Sequence, residues 1–403
     1  MNSHSYKKNK NINSDQVLQW LPKLGPAAVY LGLVLHIPQL AAVELCGGVC
    51  DFDPVPETPP LVLGPGPVTP PIFSNPGVFT LEANGLIKVA AQIIELDATE
   101  SIQQSGQSMG SNLTSLTTAM NGAHSRPLSR LVDKGQKTAW IAGDWGVDNH
   151  DSRSGDLGLA EFGLGYRFAH AQINIALGKT WSNNDTVFGG NIDADGKFVL
   201  IESIIPIPQV AGLYATLSGY YHEGEINSKR GYLNLGVANF SFASPDSRAS
   251  GLRVRLDWQN AYQWQTVTFS PYLDANFSHA HIDSFTETGG GFPASFNSRD
   301  EAITELRIGF NGSMALQDYP VELLANLEAA HRFDDRGITT TGQISGFLSG
   351  FDVTGSDYDQ DWIKAGIGLE GQLGKGKASL MLNSTTEGEM PSAWAAFAYQ
   401  VTF

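Results

Sequence analysis

Cysteine is almost missing from this 403-residue chain: Cys46 and Cys50 are its two thiols, and everything after them is cysteine-free. A disulfide framework is therefore excluded. The pair itself is a candidate disulfide in an oxidising compartment, while as a zinc site it supplies half the ligands, with no histidine close behind. Charge is scarce too, at 16% of residues, and basic residues are outnumbered 25 to 41, for a net charge of -16. No basic patch exists to neutralise phosphates, so no nucleic-acid partner is expected. Long apolar runs are the third absence. After residue 45 nothing approaches the roughly 20 apolar residues of a spanning helix, and the mean hydropathy is -0.13. Glycine (44) and aromatics (10%) are plentiful instead. A closed barrel, which spreads its membrane signal thinly as alternation, is the membrane architecture left open.

Residues 1–42 read as a signal peptide: Lys7, Lys8, Lys10 and Lys23 precede an apolar run from Leu24 to Leu35, and Ala41 and Ala42 follow. Residues 43–82 are proline-rich, with Pro54, Pro56, Pro59, Pro60, Pro65, Pro67, Pro70 and Pro71, and read as an extended linker or short passenger. Residues 83–134 hold a helical pattern and a linker. Leu86, Val89, Ile93, Leu96, Ile102, Met109, Leu113, Leu116 and Met120 recur at mostly helical spacing among Ser, Gln, Thr and Gly, and predict one or two helices over 83–122.

From residue 135 to 403 the period is two. Short connections near 168–171, 206–211, 262–266, 316–320 and 373–377 alternate with long ones rich in Gly, Asn and Asp at 149–155, 182–196, 223–250, 284–299, 332–359 and 385–391. Five turns and six loops join twelve strands, the asymmetry of an outer-membrane barrel. Leu252, Val254, Leu256 and Trp258 share one face, against Arg253, Arg255, Asp257 and Gln259. Three further strands repeat the pattern, and lipid outside with water inside explains both faces. The expected fold is an all-β membrane protein, a 12-stranded antiparallel transmembrane β-barrel with an N-terminal helix in the lumen. Inward positions carry both signs of charge: Asp144, Glu161, Arg167, Arg253, Arg255, Asp257, Asp274, Glu305, Arg307, Glu322, Glu328, Lys364 and Glu370. Such a wall can clamp a polar helix through charge-assisted hydrogen bonds.

The last strand sets Phe397, Tyr399, Val401 and Phe403 against Ala396, Ala398 and Gln400. This ending resembles the recognition strand by which outer-membrane barrels engage their assembly machinery. Together with the helical segment, the twelve strands and the stretch Gly-Asp-Leu-Gly-Leu-Ala-Glu-Phe-Gly-Leu-Gly-Tyr-Arg-Phe from Gly155, it resembles the translocator β-domain of monomeric autotransporters, the type V secretion family, across residues 83–403. The resemblance implies a monomer in the Gram-negative outer membrane, partnered by lipid, the barrel-assembly machinery and periplasmic chaperones. It also implies a helix threading the barrel and an N-terminal passenger exported to, or displayed at, the cell surface. Passengers of that family run to hundreds of residues, whereas about 40 separate the expected cleavage point from the helix here. The helix lacks the Asn-Asn junction of the self-cleaving subgroup, so the tail is expected to stay attached.

No catalytic, cofactor-binding or metal site is expected. Gly143-Asp144-Trp145-Gly146 superficially resembles a Gly-Asp-Ser-Leu esterase motif but has no nucleophile. His279, His281 and Asp283 share a face at a strand's outer end and read as rim residues. Asp357, Asp359 and Asp361 resemble the start of a calcium loop, yet Trp362 stands where that loop needs glycine. Two other functions remain open: a small porin, with the charged wall setting ion selectivity, and a surface adhesin acting through its long loops.

Overall fold

A computed structural model describes residues 100–403, apart from 104–105, 107–117, 151–153, 235, 318, 347–349, 356 and 389–390. The expected signal peptide, the proline-rich stretch, Cys46 and Cys50, and most of the helical segment lie outside the described residues. Numbered in chain order, the strands are β1 (Lys137–Asp148), β2 (Gly155–Arg167), β3 (Gln172–Thr186), β4 (Gly190–Pro206), β5 (Leu213–Asn234), β6 (Val237–Ala243), β7 (Asp246–Trp258), β8 (Tyr262–Trp264), β9 (Val267–Ile282), β10 (Phe285–Thr286), β11 (Ala294–Phe296), β12 (Arg299–Ala315), β13 (Val321–Arg332), β14 (Thr340–Ile344), β15 (Phe351–Val353), β16 (Asp361–Leu373), β17 (Gly376–Thr385) and β18 (Ala393–Thr402).

Twelve of these close into an antiparallel ring, β1-β2-β3-β4-β5-β7-β9-β12-β13-β16-β17-β18, in which β18 returns to pair with β1. Closure is complete down to the chain end: Lys137 and Phe403 exchange both backbone hydrogen bonds, at 2.8 and 3.0 Å. No wall strand is left with an unpaired edge, as a lipid-embedded sheet requires. β17 and β18, at 10 residues each, have the length a tilted strand needs to span a bilayer core.

Burial is inverted relative to a water-soluble protein. On β7, Leu252 and Val254 are 58% and 54% exposed, while Arg253 between them is 1% exposed. Charges almost never avoid water this way unless paired, and aliphatic side chains do not face it in bands around a whole molecule. The outward band runs on through Phe162, Leu164, Ile175, Leu177, Leu273, Ile308, Ile367 and Leu382, all exposed. Aromatic side chains frame it: Tyr166, Phe168, Trp258, Tyr262 and Tyr319 near the short-turn end, and Trp145, Tyr221 and Phe333 toward the long-loop end. This is the girdled surface of a transmembrane barrel.

The long connections differ from the sequence expectation. Residues 182–196 and 223–250 are not irregular loops. β3 continues to Thr186 and turns through residues 187–189 into β4, while β5 runs to Asn234 and pairs with β6. Their Gly, Asn and Asp content reads as turn chemistry, yet the period of two persists beneath it, with Ile192, Ala194, Ile226 and Ile282 packed together on the inner side. Residues 284–299 and 332–359 likewise contribute a small second sheet, β10-β11-β14-β15, at the long-loop end.

The outward band generates a direct test. Val254→Arg is expected to destabilise the barrel by about 2–4 kcal/mol, the cost of arginine near the bilayer midplane, whereas Glu223→Arg, on the outer extension, costs about 0–1. Urea unfolding in lipid vesicles, followed by the shift in gel mobility on unfolding, reads both.

Candidate functional site

The candidate site is the barrel interior and the chain segment inside it. Residues 118–121 form a helical turn, closed when Gly122 N–H donates to the Thr118 carbonyl at 2.7 Å. A 3-10 turn, Pro127–Arg130, follows, with proline where its missing N–H costs nothing. The chain then meets the short-turn end: Val132 N–H donates to Gln172 Oε1 at 3.0 Å and Gly135 N–H to the Arg167 carbonyl at 2.8 Å, before β1 begins.

Apolar packing holds the helical turn. Ala119 and Met120, both 0% exposed, sit in a cluster with Trp140, Leu159, Ala176, Phe198, Leu200, Tyr220, Ala249, Ala280 and Ile303. Ala123 joins a second cluster with Leu324, Met381, Trp394 and Ala396. The interior is thus packed at this level. Below the turn, a cavity of about 20 Å³ bounded by Asn121, Tyr272, Glu328, Lys364 and Asn383 has room for about one water.

Ion pairs surround the packed level. His124 Nδ1 lies 2.7 Å from Asp144. Arg130 reaches Glu161 at 2.6 Å, and Trp140 Nε1 donates to the same carboxylate at 2.8 Å. Arg126 pairs with Glu370 at 3.1 Å. From the wall, Arg253 pairs with Glu202 at 3.0 Å, Lys364 with Glu328 at 2.9 Å, and Glu328 also accepts from Tyr272 at 2.6 Å. Arg255 grips Asp257 through Nε and Nη2, with its guanidinium 3.7 Å from the Tyr272 ring centroid. Arg307 and Arg332 share Glu305 at 2.6 and 3.1 Å.

Eleven of the thirteen inward charges named from the sequence are buried: Asp144, Glu161, Arg167, Arg253, Arg255, Asp257, Asp274, Glu305, Arg307, Glu328 and Lys364. Glu370 is half-buried. Glu322 is exposed: it shares the strand face of Leu324 and Glu328 but is the second residue of β13, opposite Glu370 at the short-turn mouth, where the wall no longer shelters it. Glu202 escaped the sequence reading because it stands in the apolar run Leu-Ile-Glu-Ser-Ile-Ile. A lone carboxylate there was the available signal. Of the recognition-strand residues, Phe397 and Phe403 are exposed on the outer face, and Tyr399 and Val401 are half-buried.

At the long-loop end, Arg230 pairs with Glu287 at 2.7 Å and donates from Nη1 to Ser101 Oγ at 3.0 Å. Ile102, 1% exposed, packs on Ala294 and Phe296 of the small sheet, and Arg299 donates to the Gly106 carbonyl. Residues 101, 102 and 106 therefore touch the long-loop end and residues 126–135 the short-turn end.

Of the other sequence candidates, His279 and His281 both lie against Asp300, at 3.4 and 2.8 Å, and His281 also pairs with Asp283 at 3.0 Å, on partly exposed side chains. Asp357 pairs with Arg336 and Asp361 with His331. Among the described residues no cluster of three or more His, Cys, Asp or Glu has the arrangement of a metal site. Within β1, Asp144 is turned to His124 while Trp145 faces outward.

A family model, the autotransporter beta-domain, matches residues 139–385. Among solved structures, the translocator domain of autotransporter NalP from Neisseria meningitidis matches with a TM-score of 0.56 at 15% identity, covering 74% of this chain and 98% of that one. The beta domain of the Bordetella autotransporter BrkA matches at 0.40 and 14% identity, covering 67% and 100%. No curated protein matches the sequence.

Glu161→Ala tests the interior ion pairs. It strands Arg130 in a buried site and is expected to cost about 3–5 kcal/mol, whereas replacing both partners, Arg130→Met with Glu161→Leu, is expected to cost far less. The two unfolding midpoints compared in vesicles decide it.

Proposed function

Because this chain belongs to the autotransporter β-domain family, and its barrel is an outer-membrane translocator, we propose that it carries the segment preceding residue 100 to the cell surface and holds it there through the lumen segment. One observation carries this reading: the direction of the chain through the barrel. Short turns lie at the periplasmic end of outer-membrane barrels and long loops outside. Residues 126–135 contact the first end and Ser101 and Ile102 the second. The chain N-terminal to residue 100 is then delivered to the outer mouth.

In this reading residues 1–42 direct export, residues 43–82 form a short displayed passenger or linker, and the tail stays attached. The barrel performs the transfer without chemistry of its own. The helical segment and the chain before it cross within or alongside the wall as the barrel assembles. Phe397, Tyr399, Val401 and Phe403 supply the strand that the assembly machinery engages, and periplasmic chaperones keep the unfolded barrel soluble on the way. An interior packed with side chains from most of the wall strands supports a translocator at rest over an open porin.

An epitope inserted at residue 60 tests the topology. Protease added to intact cells is expected to remove it while the barrel keeps its folded gel mobility. An epitope that is cut only after the outer membrane is permeabilised contradicts surface display.

A further inference from the structure

Charge in the lumen is distributed in an uneven way. Between residues 118 and 130 the segment has no carboxylate, and its basic side chains, His124, Arg126 and Arg130, go to acidic partners on the wall. The wall cations have no side-chain charge on the segment to meet. They turn mainly to its main chain: Arg253 donates from Nη1 to the Met120 carbonyl and, at 3.2 Å, to the neutral Ser125 hydroxyl, and Lys364 donates from Nζ to the Asn121 carbonyl at 3.3 Å. Arg130 closes the series from within the segment, donating to the His124 carbonyl at 3.2 Å.

The Met120 and Asn121 carbonyls end the helical turn 118–121, where the last carbonyls have no intrahelical donor and carry the negative end of the helix dipole. Each donor is also neutralised in advance. Arg253 pairs with Glu202, Lys364 with Glu328 and Arg130 with Glu161, at 3.0, 2.9 and 2.6 Å. A neutral pair offers spare N–H groups but no net charge, so it selects a carbonyl dipole over a carboxylate. Gly122 completes the fit. A Cβ there would collide with Asp144 Oδ2 and come within 2.5 Å of the Thr118 carbonyl, so the chain leaves the helix at a residue that lets the wall approach.

We propose that the wall pairs Arg253–Glu202 and Lys364–Glu328 form a receptor for a helix C-terminus, which stops the threaded segment at a fixed depth by reading its main-chain carbonyls and no charged side chain. The partner it fits is any polypeptide that ends a helix at this level, here residues 118–122. The inference rests on the proposed threading and adds what holds the segment in place.

The test uses the full chain with Cys46 and Cys50 changed to serine and a probe thiol at Ala123→Cys, in lipid vesicles, labelled with a water-soluble maleimide. Folded gel mobility is checked for every variant. Side-chain changes on the segment, Met120→Leu and Asn121→Ala, are expected to leave labelling as slow as in the parent, and so is Arg253→Lys, which keeps a donor. Removing whole pairs, Arg253→Met with Glu202→Gln or Lys364→Met with Glu328→Gln, leaves no orphan charge and is expected to speed labelling at least about tenfold, the loss of one charged hydrogen bond. Fast labelling in the segment variants with slow labelling in the pair-deleted ones overturns the receptor. A parent thiol that labels as fast as it does in the unfolded chain overturns the threading itself.

Discussion

Hydrocarbon offers a backbone no hydrogen-bonding partner, and the rest of this molecule follows from that constraint. Each unpaired peptide group in the bilayer costs several kcal/mol, so the sheet must close, and it does so through the mutual bonds of Lys137 and Phe403. Closure creates two environments of opposite polarity separated by one strand's thickness. Alternate residues of β7 then meet lipid as Leu252 and Val254, and the interior as Arg253 and Arg255.

The interior poses a second problem, because a barrel of this width cannot leave charged side chains both dry and unpaired. Buried ions are tolerable when each has a partner, and the lumen meets that condition mostly with local pairs: Arg255 with Asp257, Arg307 with Glu305, and Lys364 with Glu328. Ala119 and Met120 pack against small and aromatic wall residues. The lumen segment is thus held by packing at one level and by polar contacts on either side of it. Arg126 and Arg130 anchor the periplasmic side, and Arg230 with the small outer sheet meets the chain at the other.

Much of this was legible in the sequence because period-two alternation is local. The strand around Leu252–Trp258, the five short turns and the closing strand at Phe403 each need only a few neighbouring residues to be recognised. Tertiary pairing was not legible: nothing near Arg253 points to Glu202, 51 positions away. The apolar ring was hidden for a related reason. Alternation separates two faces without saying what fills the inner one, and Ala176, Ala249 and Ala280 of that face pack in one cluster with Ala119 and Met120. In the outer hairpins composition misled, because Gly and Asp suggested turns where Ile192 and Ile226 continued the strands.

The central claim is that the chain's own segment closes the lumen, and ion conductance through the barrel measures that most directly. In planar bilayers the whole protein is predicted to hold a closed baseline, and the protein lacking residues 1–134 to show steady open channels at the same salt and voltage. Equal open conductance from both would contradict the claim and leave a porin in its place.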